Sequence, residues 1–331
     1  MNGSETRPTY PSPHRPARAT DDHPQKSPLE AQARAQARGG PAGRWARRRP
    51  LTVFFVLGFT TATLLATLWG LAYHGQLPGG GAADAVGIKP DEFGGGLLIL
   101  ALFPAALFVT WATGGRDGIR TLMGRLFRRR AGAGWWLTVL LALPVLTVAL
   151  SLLLGDDPRE VDLGSFVISQ VGLLLLNLVV VNLWEETVWT GVVQTRLEQR
   201  RGLFVSSVLT AVPFAAVHVP LVFFADVLPT VLDVGAAFAV YFVFGLIVRP
   251  MYAVLRRATL DSLLLVALAH SVFNRTNNND GISAGLVDGD LRIVAGLLAC
   301  LALTVTLRLL YRRRMTREFA RRLNGSDPGL A

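Results

Sequence analysis

Charge is scarce in this sequence. Of 331 residues only 17% are Asp, Glu, Lys or Arg, against 51% hydrophobic, and the mean hydropathy is +0.41. A soluble domain carries about a quarter charged residues, so the chain lacks an ordinary water-facing surface and a soluble enzyme is excluded. Lysine is rarer still, with Lys26 and Lys89 the only two among 33 basic residues. That Arg-, Ala- and Gly-rich bias points to a GC-rich genome rather than to a function. Cysteine occurs once, as Cys300 in an apolar run, so no intramolecular disulfide can form. Burial without a positive neighbour makes this thiol a packing residue rather than a reactive group. The zinc signature HExxH is missing, and so is any internal repeat or matched pair of broken helices of the kind that repeat-built transporters carry.

What charge there is sums to +10 and is unevenly placed. Residues 1–50 hold ten Lys/Arg against four acids, residues 308–331 seven against two, and residues 51–307 sixteen against seventeen. The excess sits on two short tails around a nearly neutral apolar body, which argues against a nucleic-acid-binding domain and for a polytopic membrane protein. Residues 1–50 are rich in Pro, Ala, Arg and polar residues without apolar period and read as a disordered basic tail. The stretch Arg44-Trp45-Ala46-Arg47-Arg48-Arg49 suits a juxtamembrane anchor on an anionic leaflet. The first apolar run starts at Leu51 and is long enough to span, so it is not a signal peptide.

About twenty apolar residues cross a bilayer as a helix. Eight stretches qualify: 51–73, 95–113, 135–154, 172–195, 203–223, 230–248, 260–279 (the least apolar) and 291–310. The loops at 114–134, 196–202 and 249–259 carry six, three and three Arg. The alternate connections are acidic, with Asp84, Asp91 and Glu92, then Asp156 to Asp162, then Asp226 and Asp233, then Asp280, Asp288 and Asp290. By the positive-inside rule this predicts an all-α bundle of about eight transmembrane helices with both termini cytoplasmic. The expected organisation is a tail over 1–50, a helical membrane domain over 51–310 and a basic cytoplasmic tail over 311–331.

Ionisable groups inside a membrane are costly and mark functional sites by default. His14 and His23 fall in the tail and His74 at a membrane edge, whereas His218 and His270 lie deep in spans. Glu185 and Glu186 are the only embedded acids, flanked by Leu173–Trp184 and Thr187–Val193. Adjacent residues on a helix point about 100° apart, so the two glutamates cannot do the same job. His270 and Asn274 are four apart and share a face, as do Phe214 and His218. Glu, His, His and Asn on three helices supply a proton acceptor, imidazoles to orient or bind, and an amide donor for a developing oxyanion. Glu185, His218 and His270 are also a plausible zinc ligand set. The G-x-S-x-G match at Gly281–Gly285 lies in a loop rather than after a strand, which argues against a nucleophilic Ser283. Asp288 and Asp290 read as solvated loop acids.

The segments Glu185-Glu186-Thr187-Val188-Trp189-Thr190, Phe214-Ala215-Ala216-Val217-His218 and His270-Ser271-Val272-Phe273-Asn274 resemble, in order, the EExxxR, FxxxH and HxxxN boxes of the CPBP intramembrane proteases. This is the CAAX-protease and bacteriocin-processing group, also called the Abi family. Gly191 and Gln194 fit the continuation of the first box; Thr259, Ser262 and Leu263 fit the approach to the third. The stretch from Gly114 to Trp136 is similar to the family's upstream loop. The resemblance covers about residues 95–280. It implies Glu185 as general base, His218 and His270 as water or metal partners, and Asn274 as oxyanion donor, with zinc, another divalent metal or a metal-free glutamate mechanism all open. The family's Arg, which pairs with the second Glu, is Thr190 here. Glu186 therefore needs another partner, and Arg249 and Arg275 near span ends are the conceivable substitutes.

The expected function is an intramembrane endopeptidase of a bacterial inner or plasma membrane, acting on a membrane-associated protein or peptide, with lipids as partners and no nucleic acid. The alternatives are a non-catalytic scaffold or bacteriocin-immunity-type protein of the same fold, which Thr190 favours, and a proton-coupled transporter using the Glu and His residues as a relay.

Overall fold

A computed structural model describes residues 40–85, 88–224 and 228–323. The chain divides into two units after Pro41, and the features below belong to the second, Ala42–Ala331. His14, His23, Asp226 and most of the tail expected over 1–50 lie outside the described residues. That tail ends in a helix, α1 (Pro41–Arg48), rather than in irregular chain.

Among the described residues, seven helices are long and apolar enough to cross a membrane: α2 (Pro50–Tyr73), α3 (Pro90–Leu126), α4 (Ala133–Leu154), α5 (Leu163–Glu198), α6 (Leu203–Phe224), α7 (Val231–Ala258) and the first part of α10 (Leu291–Leu323). The eighth expected span, 260–279, is the 15-residue helix α8 (Leu263–Asn277). At 1.5 Å per residue it is roughly 22 Å long, short of a hydrocarbon core of about 30 Å. Protein surrounds most of it, since nine of the ten residues from Leu263 to Val272 are buried, so lipid thickness does not set its length. A one-turn helix, α9 (Ile282–Leu286), precedes α10. The only strands among the described residues are β1 (Asp157–Pro158) and β2 (Val287–Asp288), paired antiparallel.

Local signals set the helix ends. Pro50 and Pro90 occupy first-turn positions of α2 and α3, where the missing N–H costs nothing. Thr230 and Asp233 form a capping box at the start of α7. Asp162 caps α5 and accepts from the Gly164 N–H and, at 2.6 Å, the Ser165 hydroxyl. Those bonds, the Ser165 one foremost, hold its carboxyl below the usual range. The basic stretch expected as a loop over 114–134 is helical as far as Leu126, after a break at Gly115 whose φ of 60° and ψ of −150° suit glycine.

The two ends of the bundle differ in charge as the loop pattern predicts. At one end Arg125 pairs with Asp261 at 2.6 Å, Arg256 bridges Asp261 and Glu198, and Ser262 donates to the Arg128 carbonyl. These contacts hold the turn between α7 and α8, where Leu260 and Asp261 take φ of 55° and 69°, a cost for non-glycine residues. At the other end Asp156 accepts from Ser151 and from the Leu291 N–H, and Arg159 pairs with Asp288. Helix α8 runs from the first end to the second, where Arg275 contacts Gln170 and Asp280. Cys300 is buried in α10.

Candidate functional site

Helix α5 widens to π geometry at Leu178–Asn182 and again at Thr187–Gln194, on either side of the single turn Leu183–Glu186. Such widened turns recur at functional sites. The adjacent glutamates face different neighbours. Glu186 is fully buried and belongs to a closed network. Arg249 of α7 donates to both its oxygens at 2.9 and 3.0 Å, the Thr190 hydroxyl donates at 2.5 Å, and His270 Nδ1 lies 2.8 Å away. Against a carboxylate paired with arginine, that Nδ1 carries the proton and donates it, leaving Nε2 as the acceptor of the ring.

Arg249 was expected in a loop at the end of the sixth span. The helix instead continues to Ala258, and Arg249 is 0% exposed. An apolar-run criterion stops at a charge, whereas this charge is neutralised by Glu186. The guanidinium also stacks on Phe214, 4.3 Å from the ring centroid, a favourable cation–π arrangement. The other candidate substitute, Arg275, is at the acidic end with Gln170 and Asp280.

Glu185 is 8% exposed and sits between the two histidines. Its Oε1 lies 3.6 Å from His218 Nε2 and its Oε2 3.8 Å from His270 Nδ1, and Asn182 donates to Oε2 at 3.3 Å. Oε1 is buried without a hydrogen-bond partner. His218 Nδ1 is 2.6 Å from the Phe214 carbonyl, which can only accept, so Nδ1 is protonated and Nε2 presents a lone pair to Glu185. The ring is clamped between Tyr241, stacked at 4.8 Å, and Phe214 at 4.5 Å. Glu185, His218 and His270 therefore converge. Asn274, one turn beyond His270, instead reaches Asn177 at 3.5 Å.

One polar residue here, Asn182, was not singled out in the sequence. Asn182 is fully buried, donates to Glu185 and accepts from Ser271 at 2.9 Å. Its position three residues before Glu185, on the same helix face, was the available signal. Ser283, the serine of the G-x-S-x-G match, is buried and donates to the Thr276 carbonyl at 2.5 Å, a structural contact.

Among the described residues no group of three His, Cys, Asp or Glu side chains is arranged to hold a metal ion. His270 gives its Nδ1–H to Glu186 and keeps the Nε2 lone pair, the arrangement usual for a metal-ligating histidine. Glu185 Oε1 and His218 Nε2 face each other at 3.6 Å. The donor types of a three-ligand site are thus present, but they do not stand in ligating positions.

No curated protein matches the chain. Residues 167–276, which include Glu185, His218, Arg249, His270 and Asn274, match the family model described as Rce1-like, type II CAAX prenyl endopeptidase, and in that region the chain is similar to CAAX-type intramembrane proteases.

Proposed function

We propose that this multi-pass membrane protein is an endopeptidase that hydrolyses a peptide bond of a membrane-associated protein or peptide, with water activated by Glu185. The observation that carries the reading is the pair of acceptors, Glu185 Oε1 and His218 Nε2, facing each other at 3.6 Å. A water between them donates one hydrogen to each and is held with its oxygen lone pairs free for attack. As its oxygen bonds to the carbonyl carbon, Glu185 takes its proton. The negative charge moves to the carbonyl oxygen, where the Asn274 amide, after release from Asn177, donates to it. Collapse of the tetrahedral intermediate breaks the C–N bond, and Glu185 returns the proton to the leaving nitrogen.

Glu186 has a different task in this mechanism. Held by Arg249 and Thr190, it fixes the tautomer and tilt of His270 beside Glu185. The scaffold alternative rested on Thr190 leaving Glu186 without a cation, and Arg249 removes that support. The membrane in this reading is a bacterial inner or plasma membrane, and the match to CAAX-type proteases favours substrates cut near a lipid-bearing end.

The test is cleavage of a membrane-anchored peptide library by the purified protein in nanodiscs, comparing wild type with Glu185→Gln and His218→Ala. Loss of cleavage in both is expected. Cleavage unchanged by both, or proton flux into liposomes without proteolysis, would overturn the proposal.

A further inference from the structure

A cavity of about 870 Å³ opens at the basic end of the bundle, between the start of α2, the Gly114–Gly118 stretch of α3 and the α5–α6 turn. Seven arginines line it against one acid, Asp117. Arg125 is neutralised by Asp261 at 2.6 Å. Among the described residues, Arg48, Arg49, Arg196, Arg200 and Arg201 form no ion pair with a carboxylate. Arg196 is the informative one. Its side chain is half-buried in the cavity wall and spends its donors on neutral oxygens, the Val192 carbonyl at 3.3 Å and the Thr113 hydroxyl at 3.2 Å. Guanidiniums gathered around one concavity repel each other, and a bound anion relieves that repulsion.

The rest of the lining says which anion. Leu51, Leu122, Leu197 and Leu209 add an apolar part to a wall that also holds five threonines and Gln199, and Leu209 is exposed on α6. The cavity lies where α2 begins its apolar run and where α3 breaks at Gly115, the level at which a spanning helix leaves hydrocarbon. Arginine thus meets leucine at the depth of phospholipid headgroups. We infer that this cavity binds the phosphate of an anionic phospholipid, with the arginines on the phosphodiester and the leucines along the glycerol and upper acyl chains. The site is separate from Glu185 and does not depend on the hydrolytic reading.

Native mass spectrometry of the full-length protein in neutral detergent tests this, with phosphatidylglycerol, phosphatidylcholine and inorganic phosphate as probes. Phosphatidylglycerol is expected to be retained over phosphatidylcholine by about tenfold, and millimolar phosphate should not displace it. Arg200→Gln/Arg201→Gln, at exposed positions, should weaken retention about thirtyfold, and Arg196→Gln should weaken it as well. Arg312→Gln/Arg313→Gln, away from the cavity on α10, should leave it unchanged. Equal retention of the two lipids would overturn the inference, as would equal losses in both double variants, which would mean diffuse attraction to basic chain. Displacement by inorganic phosphate would overturn the lipid assignment in favour of a soluble phosphate.

Discussion

The guanidinium of Arg249 meets both carboxylate oxygens of Glu186, at 2.9 and 3.0 Å, although 63 residues separate them in the chain. Both side chains are wholly buried. Removing one member of such a pair leaves an unpaired charge in a low dielectric, at a cost of about 3–5 kcal/mol. Arg249→Ala should therefore lower the thermal unfolding midpoint in detergent sharply. Thr190 sits four residues after Glu186 and already touches it, so a cation there faces the same carboxylate. The double variant Thr190→Arg/Arg249→Ala should recover part of the loss. A double variant no more stable than Arg249→Ala would show that Glu186 needs its partner from α7 specifically.

The two glutamates should separate cleanly by substitution. Glu185 receives one long hydrogen bond from Asn182, so Glu185→Gln should barely change stability while lowering single-turnover cleavage by about 10²–10⁴-fold, the range for general-base removal. Glu186→Gln should reduce both, because it weakens three contacts at once. A Glu185→Gln protein that unfolds as readily as Glu186→Gln would remove the distinction.

Asn182 acts through Glu185, and its effect should show in turnover rather than in binding. Asn182→Ala leaves the buried Ser271 hydroxyl without that acceptor and Oε2 of Glu185 without its donor, for about 1–3 kcal/mol of stability. A mispositioned base lowers kcat with KM nearly constant. Steady-state kinetics showing the reverse, a raised KM with unchanged kcat, would place Asn182 in substrate binding instead.

The parts of this molecule that were legible in the sequence are those on which the bilayer imposes a one-dimensional rule. Apolar length locates α2 to α7 and α10, because hydrocarbon thickness fixes helix length. Helix α8 escapes the rule because it is packed in protein rather than lipid. Glu185, His218 and His270 stood out because embedded ionisable groups are rare, and the helices bring them together. Arg249 was one of two candidate partners for Glu186, and the apolar-length rule misplaced it at a span end. Its charge ended the apparent span, and only the three-dimensional pairing with Glu186 shows that the charge is compensated. Asn182 carries no charge and left no mark on hydropathy; only its spacing of three residues before Glu185 pointed to it.

Chelation provides a separate check on the donor set. Among the described residues no three His, Cys, Asp or Glu side chains are arranged to hold a metal ion, and catalytic zinc sites use three protein ligands. Cleavage activity should survive dialysis against a strong chelator, with elemental analysis showing less than one metal ion per chain. Activity lost on dialysis and restored by one divalent ion would make His270 Nε2 a ligand, with Nδ1 still on Glu186.

Gly245 of α7 sets how closely that helix approaches α6. A Cβ built there would lie 2.9 Å from the Ala211 Cβ and 3.3 Å from its Cα, atoms that no side-chain rotation can move. Small residues at such crossings allow close backbone packing in membranes. The separation matters chemically because His218 is on α6 and Arg249 on α7. Gly245→Val should therefore cost about 1–3 kcal/mol through overpacking and should also lower cleavage by shifting His218 against the Glu186–Arg249 pair. Gly235→Ala, on the same helix with nothing within 4 Å of a new Cβ, controls for helix propensity and should leave both unchanged. Thermal unfolding and cleavage measured side by side decide the point. If Gly245→Val lowers stability but leaves turnover intact, the α6–α7 spacing supports the fold without setting the geometry of the site.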